Sequence, residues 1–566
     1  MQDIFRRHII DKIAGILSLE PDSLESALTL PPRPEMGEYA FGCFIPAKAL
    51  KTNPKEIAER VAAEFGDDEF ILEVKPVGPY ANFYVRHDRY QQWMLGEIAS
   101  RRDSFGHSEE GEGKTVVIDF SSPNIAKPLG VHHLRSTMIG HSLRNIFQTL
   151  GYKVVAVNHL GDWGTQFGHL MTAYLRYGGD KEPEGDSIAK LNELYVRFHA
   201  ECEDKPELAE EGRKWFHKLE QGDPQAVELW ERFRKVSLEE FERIYRILGV
   251  EFDSYAGESH YGPLIPDTLK MLEDKGLTKI SEDALIVDLE EHSMPPYLLR
   301  KRDEATLYAT REVAAALYRH RTYNFSLMLY VVGADQRLHF RQLFKVLELM
   351  GCDWAANCAH VDFGLMRFDK AKMSTRRGTG RRLEDLLEEA AARANEIIES
   401  KNPDLRDKEN VARQVGIGAV VFADLKSKRV KDIDFKWEDA LSFDGDSGPY
   451  LQYTQARFMS ILRKYGKPVT GDVDFGRLTE DEELKLARML ARYPETLGLA
   501  ASACEPAVIS QYLLELAAMA NAYYHKHRVI GEDADLAAAR ALLVDCVRQV
   551  IVNGLGILGV AVPDEM

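Results

Sequence analysis

The sequence predicts an α/β protein: a split, doubly wound, Rossmann-like parallel sheet with an α+β module before it and an all-α region after it. Three observations carry that expectation. Extended "TVVIDF" (115–120), a helical pattern and extended "KVVAVN" (153–158) make one strand–helix–strand unit. A second unit follows far downstream, in "LMLYVVG" (327–333), "LHFRQLFKVLELMG" (338–351) and "HVDFGLM" (360–366). From about residue 384 the pattern is helical almost to the end. Short strand–helix–strand connections imply right-handed parallel crossovers, and two of them separated by an insertion describe a split nucleotide-binding fold.

Taken in order, "MQDIFRRHIIDKIAGIL" mixes acids among its bases and reads as an amphipathic helix, not a cleavable leader. Helical patterns and short extended runs such as "ANFYVRH" (81–87) continue to about 110, where "SEEGEGKT" connects to the first unit. In that unit Leu134, Met138, Ile139, Leu143, Ile146, Phe147 and Leu150 recur at helical spacing. A charged, mostly helical insertion occupies about 180–320. No apolar stretch approaches the roughly 20 residues that span a bilayer, so no membrane partner is expected. Six scattered cysteines suit a reducing compartment, and a cytoplasmic protein is expected. The net charge of −18 argues against a nucleic-acid partner when taken alone, yet "DLKSKRVKD" (424–432) and "STRRGTGRR" (374–382) are locally basic.

Several motifs carry no function. "GEGKT" (111–115) precedes its strand, whereas a phosphate-binding loop follows one, and Ser108 stands where that loop needs glycine. "GLGILG" (554–559) matches a dinucleotide fingerprint but has no room for the strand–helix–strand unit, so it reads as a helix end. "DGDSG" (444–448) is too short for a calcium loop. Cys352, Cys358 and His360 lack a fourth ligand for zinc, and no metal site is expected.

Two motifs remain. "NIAKPLGVHHLRSTMIG" (124–140) places Lys127, His132 and His133 in the turn between a parallel strand and a helix N-terminus, where backbone amides and the helix dipole attract anions. Alone, either histidine could equally be a satisfied cap residue; a shared metal is disfavoured because adjacent residues point to different sides of a helix. "KAKMSTRRGT" (370–379) is a basic, glycine-containing loop after the last strand of the second unit, where it could hold a polyphosphate or be a solvated turn. The pair resembles the two signatures of class I aminoacyl-tRNA synthetases. With "FSSPNIAKP", "HLRST", "NHLGDWGTQFG" (158–168), "YATREVAAALYR" (308–319), "FDGDSGPYLQYTQAR" (443–457), "RPEMGEYAF" (33–41) and "YYHKHRVI…VRQVIVNGLGILGV", the chain resembles the arginyl-tRNA synthetase family end to end.

The resemblance implies an N-terminal tRNA-binding module (1–110), a catalytic domain (111–385) with its insertion, a helical connection (386–445) and a helical anticodon-binding domain (446–566). It implies activation of L-arginine by ATP with Mg²⁺, no tightly bound cofactor, transfer to tRNA(Arg), activation that depends on tRNA, and a monomer. Its catalytic residues would be Lys127, His133, Lys372 and Ser374, with ATP at Gly130, His132, His133, Lys372 and Met373. Arginine would be held by Asp119, Ser122, Asn124, Tyr308, Glu312 and Gln336. For tRNA it points to Asn82, Phe83 and Tyr84 in the first module and to Arg457, Tyr524 and Arg548 near the C-terminus. Two departures stand out. The first signature usually reads His–aliphatic–Gly–His, but here it is Gly130-Val131-His132-His133; the second has Thr375 where a lysine is usual, for which the family's upstream lysine, here Lys127, compensates. Another class I synthetase, a tRNA-independent nucleotidyltransferase of the same superfamily and a non-catalytic tRNA-binding paralogue are the competing readings.

Overall fold

A computed structural model describes residues 3–178, 187–282, 284–300, 308–368 and 381–566. The chain forms two compact units. One takes Met1–His107, Arg457–Glu495 and Glu515–Asn553; the other takes Ser108–Ala456, Thr496–Leu514 and Gly554–Met566.

The first unit opens with the expected amphipathic helix, Ile4–Leu17, capped by the Asp3 carboxylate, which accepts from Arg6 N at 3.0 Å. Its apolar stripe of Phe5, Ile9, Ile13 and Leu17 shares a core with an antiparallel sheet. The strands are β1 (Leu28–Thr29), β2 (Tyr39–Gly42), β3 (Ile71–Val77) and β4 (Tyr80–Val85), in the order β1-β2-β4-β3. Leu484 and Ala487 of helix Asp481–Ala491 complete that core. Glu483 of the same helix is buried, and accepts from Tyr523 Oη at 3.0 Å and Arg540 Nε at 2.8 Å. A buried carboxylate needs such partners to remain charged.

In the second unit, β5 (Thr115–Asp119) and β6 (Lys153–Val157) flank helix His133–Thr149 along the chain. The insertion follows with helices Ser187–Asp204, Pro206–Glu220 and Pro224–Leu248, packed around Phe198, Phe216 and Phe233. Its later part is not helical alone. There β7 (Thr278–Ser281), β8 (Ala284–Val287) and β9 (Tyr297–Arg300) form an antiparallel sheet. The main sheet then resumes with β10 (Leu327–Tyr330), helix Arg337–Leu349 and β11 (Cys358–His360). Its order is β11-β10-β5-β6, and every pairing is parallel.

That order fixes where a ligand goes. From β5 the chain winds to β6 on one side and returns as β10 on the other, so the direction of winding reverses between β5 and β10. Doubly wound sheets bind ligands at the C-terminal ends of strands at such a switch point. Asp119 and Tyr330, the last residues of β5 and β10, are register partners there.

The extended segment expected at 360–366 divides in two. β11 ends at His360, and β12 (Met366–Phe368) leaves the main sheet to pair in parallel with β13 (Ile433–Phe435), a strand inside the otherwise helical last third. Gly364 marks the crossing: a Cβ there would stand 2.7 Å from the Lys431 carbonyl carbon, an approach only glycine allows. "GLGILG" lies at the end of helix Ala534–Ile557. All six cysteines are free, and His360 Nε2 lies 2.9 Å from the Val332 carbonyl oxygen.

Candidate active site

The turn that leaves β5 holds three non-glycine residues with positive φ: Ser121 (70°), Ser122 (49°) and Ala126 (63°). Such conformations cost about 1–3 kcal/mol each and persist only where neighbours over-determine them. Here the neighbours are explicit. Ser121 N donates to Ser136 Oγ at 2.9 Å, and Ser136 Oγ donates to Val331 O at 2.7 Å, tying the turn to the chain just past β10. Ser121 Oγ bonds Tyr245 Oη at 2.8 Å, and Ala126 N donates to Ser237 Oγ at 2.8 Å; both partners lie on helix Pro224–Leu248. Asn124, exposed, bridges to Gly161 in the loop after β6.

The histidine pair follows at the start of helix His133–Thr149, with His132 as its N-cap residue. His133 Nδ1 lies 3.1 Å from Gly130 N and 3.3 Å from Gly130 O, and His133 N donates to Gly130 O at 2.9 Å. In the tautomer in which Nδ1 accepts from Gly130 N, the proton of the neutral ring is on Nε2, a donor for an anion. Packing, with the His132 ring adding to it, pushes the His133 pKa well below its ordinary value, so the ring is neutral at pH 7. The two rings lie 3.9 Å apart. A Cβ at Gly130 would come within 2.6 Å of His132 Cε1 and Nδ1, so the His132 ring fills the space a side chain at 130 needs.

Lys127 sits with Nζ 4.9 Å from the ring centroid of Tyr195, and burial lowers its pKa. Lys372, Met373, Ser374 and Thr375 lie outside the described residues. The chain that resumes after them runs against the first signature: Gly130 bridges to Arg382, Val131 N donates to Arg381 O at 3.1 Å, and Leu383 N donates to Leu129 O at 2.8 Å.

Around the end of β5 lies a second, carboxylate-rich region. Both Asp119 oxygens are engaged, Oδ1 by Ser122 Oγ at 2.9 Å and Oδ2 by Arg319 Nη2 at 2.8 Å. The Arg319 side chain is fully enclosed, its guanidinium 5.8 Å and 5.6 Å from the ring centroids of Tyr261 and Tyr330. Asp119 is thus already paired with an arginine of this chain. Glu312, also buried, has His159 Nε2 3.5 Å away. Next to this pair is Glu258, whose carboxyl burial pushes up to about 7; His159 and Arg311 oppose the shift, while Glu312 and Asp162 add to it. Asp162 fixes the surrounding loops by accepting from Ser259 N and Oγ, each at 2.8 Å, and from Arg234 Nε at 3.3 Å. Tyr308 opens helix Tyr308–Tyr323, but its side chain is outside the described residues. Gln336, half-buried, closes the turn after β10. Glu258 and Arg319 were not singled out by sequence: one is a lone acid that opens the four-residue helix Glu258–Tyr261, the other the last residue of "YATREVAAALYR", inside helix Tyr308–Tyr323.

The residues expected to meet RNA fare unevenly. Asn82 and Phe83, adjacent residues on opposite faces of β4, are 1% and 0% exposed, so both faces are covered there; as placed, neither can stack on a base, which corrects that expectation. Tyr84 is half-buried, donating through Oη to Glu35 O at 3.0 Å beneath Lys75. The exposed aromatic of that strand is Tyr80, in edge contact with exposed Phe44 at 5.7 Å. Arg457 lies over the Tyr524 ring at 5.8 Å and donates to Asn521 at 3.2 Å. Arg548 is a second correction: its side chain is 12% exposed and bound to Asp545 at 2.9 Å, so it is structural.

Family models match three stretches. Residues 97–437 match the catalytic domain of class I (R) tRNA synthetases, 451–566 the DALR anticodon binding domain, and 3–85 the arginyl tRNA synthetase N terminal domain. Among curated relatives, the arginine–tRNA ligases of Halothermothrix orenii and Clostridium perfringens are 43% and 46% identical, each covering 99% of this chain and 100% of its own. Among solved structures, the Thermus thermophilus arginyl-tRNA synthetase superposes with a TM-score of 0.81 at 27% identity over 100% of both chains. The Plasmodium falciparum arginyl-tRNA synthetase gives 0.79 at 24% over 99% of each, a likeness of fold.

Proposed function

The chain belongs to the arginyl-tRNA synthetase family, and from that premise we propose that it joins L-arginine to tRNA(Arg), cleaving ATP to AMP and pyrophosphate. A carboxylate oxygen of arginine attacks the α-phosphorus of ATP. An oxygen–phosphorus bond forms as the bond from the α-phosphorus to the bridging oxygen breaks, and pyrophosphate leaves. A terminal ribose hydroxyl of the tRNA then attacks the acyl carbon and AMP leaves. Such a displacement gives the protein little covalent work; positioning and charge stabilisation carry it. His133 donates from Nε2 at the helix N-terminus, Lys127 supplies a cation, and Lys372 and Ser374 of the second signature act on the same phosphates. Gly130, His132 and Met373 shape the nucleotide site.

One observation supports this most: the turn that leaves β5 leads into a helix N-terminus bearing His133, while the buried carboxylates Asp119, at the end of β5, and Glu312 act together on Arg319, an anion-binding turn beside a carboxylate-rich region. For the amino acid, Glu312 and Glu258 are the carboxylates, Tyr308, Gln336, Asn124 and Ser122 are the polar partners, and Asp119 acts through Ser122. Mg²⁺ enters with ATP. Mg²⁺ would neutralise charge on the leaving phosphates, being bound as a rule through substrate phosphates with few protein ligands. The reading includes a monomer acting in the cytoplasm, in keeping with free thiols at all six cysteines. Charging of tRNA with labelled arginine, lysine or cysteine tests it: arginine alone is expected on tRNA(Arg), and charging with lysine at a comparable rate contradicts the pocket assignment.

A further inference from the structure

Lys127 is held in an unusual way for a half-buried cation. Burial lowers its pKa, and among the described residues no carboxylate pairs with it. Its neighbour is the ring of Tyr195, 4.9 Å from Nζ, on insertion helix Ser187–Asp204. The insertion also grips the preceding residue. Ala126 lies in the same apolar cluster as Leu194, Phe198 and Phe233, with Tyr195 packed against it. Ala126 N, at a positive φ, donates to Ser237 Oγ, which itself donates to Phe233 O at 2.6 Å. A carboxylate at this place would neutralise the ammonium and compete with phosphate. An aromatic face attracts the ammonium on one side and leaves its other N–H groups for an anion.

We propose that Tyr195 is a positioning residue for Lys127: the helical insertion sets the place of this cation at the nucleotide's phosphates. The inference rests on reading Lys127 as a phosphate-binding residue. The test is arginine-dependent pyrophosphate exchange by the full chain in the presence of tRNA, with kcat and the KM for ATP and for arginine measured separately. Tyr195→Leu is expected to lower kcat/KM for ATP about tenfold, as loss of a partly desolvated cation–π contact does, with the KM for arginine unchanged. Tyr195→Phe, which keeps the ring face, is expected to match the unaltered chain, and Ser237→Ala to shift the same parameter in the same direction. Lys127→Met is expected to lose more, and adding Tyr195→Leu to it is expected to change nothing further. A Tyr195→Leu chain that equals or exceeds the original while Lys127→Met is impaired overturns the role of Tyr195 alone. So does an equal loss in the Lys127→Met background. If Lys127→Met itself leaves activation intact, the phosphate reading of Lys127 falls first.

Discussion

At residue scale, the altered first signature makes the sharpest demand. The His132 ring occupies the volume above Gly130, so Gly130→Ala alone should be harmful: its Cβ lies 2.6 Å from that ring. His133→Ala is expected to slow activation by about 10², the usual loss for a donor made mainly in the transition state. His132→Gly is expected to be harmful too, and Gly130→His together with His132→Gly to recover activity. A double variant no better than His132→Gly would show that the two positions do not exchange roles. Glu258 gives a pH signature. A guanidinium binds the carboxylate and not the acid, so with a carboxyl at about 7, facing His159, Arg311, Glu312 and Asp162, arginine binding should weaken as pH falls through neutrality. Titrating the arginine KM from pH 6 to about 8.5, where carboxylate titration is complete, checks this, and Glu258→Gln should flatten the profile. Lys127 and His133 could be found in sequence because a strand, a turn and a helix N-terminus frame them. Glu258 could not, since one acid opening a four-residue helix has no period, and the burial of Asn82 could not either, because strand alternation does not say that both faces of β4 are covered.

At the scale of elements, Arg135 shows what "HLRST" is for. Its guanidinium pairs with buried Asp424 at 2.7 Å and donates to the carbonyls of Gly364, Lys431 and Arg429 at 2.6, 3.0 and 3.2 Å. One side chain thereby joins the first-signature helix to the β12–β13 ribbon. Removing one partner of a buried pair leaves an uncompensated charge, so Arg135→Met should destabilise the chain by about 3–5 kcal/mol. Urea unfolding measures this, and Arg135→Met combined with Asp424→Leu should regain part of the loss. The basic strip "DLKSKRVKD" is partly consumed by the same network: Arg429 donates to Asp362 and Lys426 to Asp446 O. Exposed Lys428 and Lys431 remain for phosphates. The main-sheet strands were legible as apolar runs between turn residues. The β7–β9 sheet and the break at Gly364 were not, because short strands in a charged stretch resemble loops and a crossing depends on what lies behind it.

At the scale of the molecule, sequence could place a split parallel sheet, an N-terminal module and a helical end, since each rests on periodicity along the chain. It could not foresee that Leu484 and Ala487 complete the core of the first module, because such contacts leave no local trace. Binding to tRNA should weaken steeply with salt despite the net charge of −18, as phosphate contacts release counterions; a filter-binding constant flat between low and moderate salt would argue against a phosphate-dominated interface. The most direct test of arginine activation at the β5 crevice is exchange of labelled pyrophosphate into ATP, run with arginine, with lysine and without amino acid, in the presence and absence of tRNA(Arg). Exchange is expected with arginine and tRNA together and near background in every other combination. Exchange supported equally by lysine, or none with arginine and tRNA both present, would contradict it.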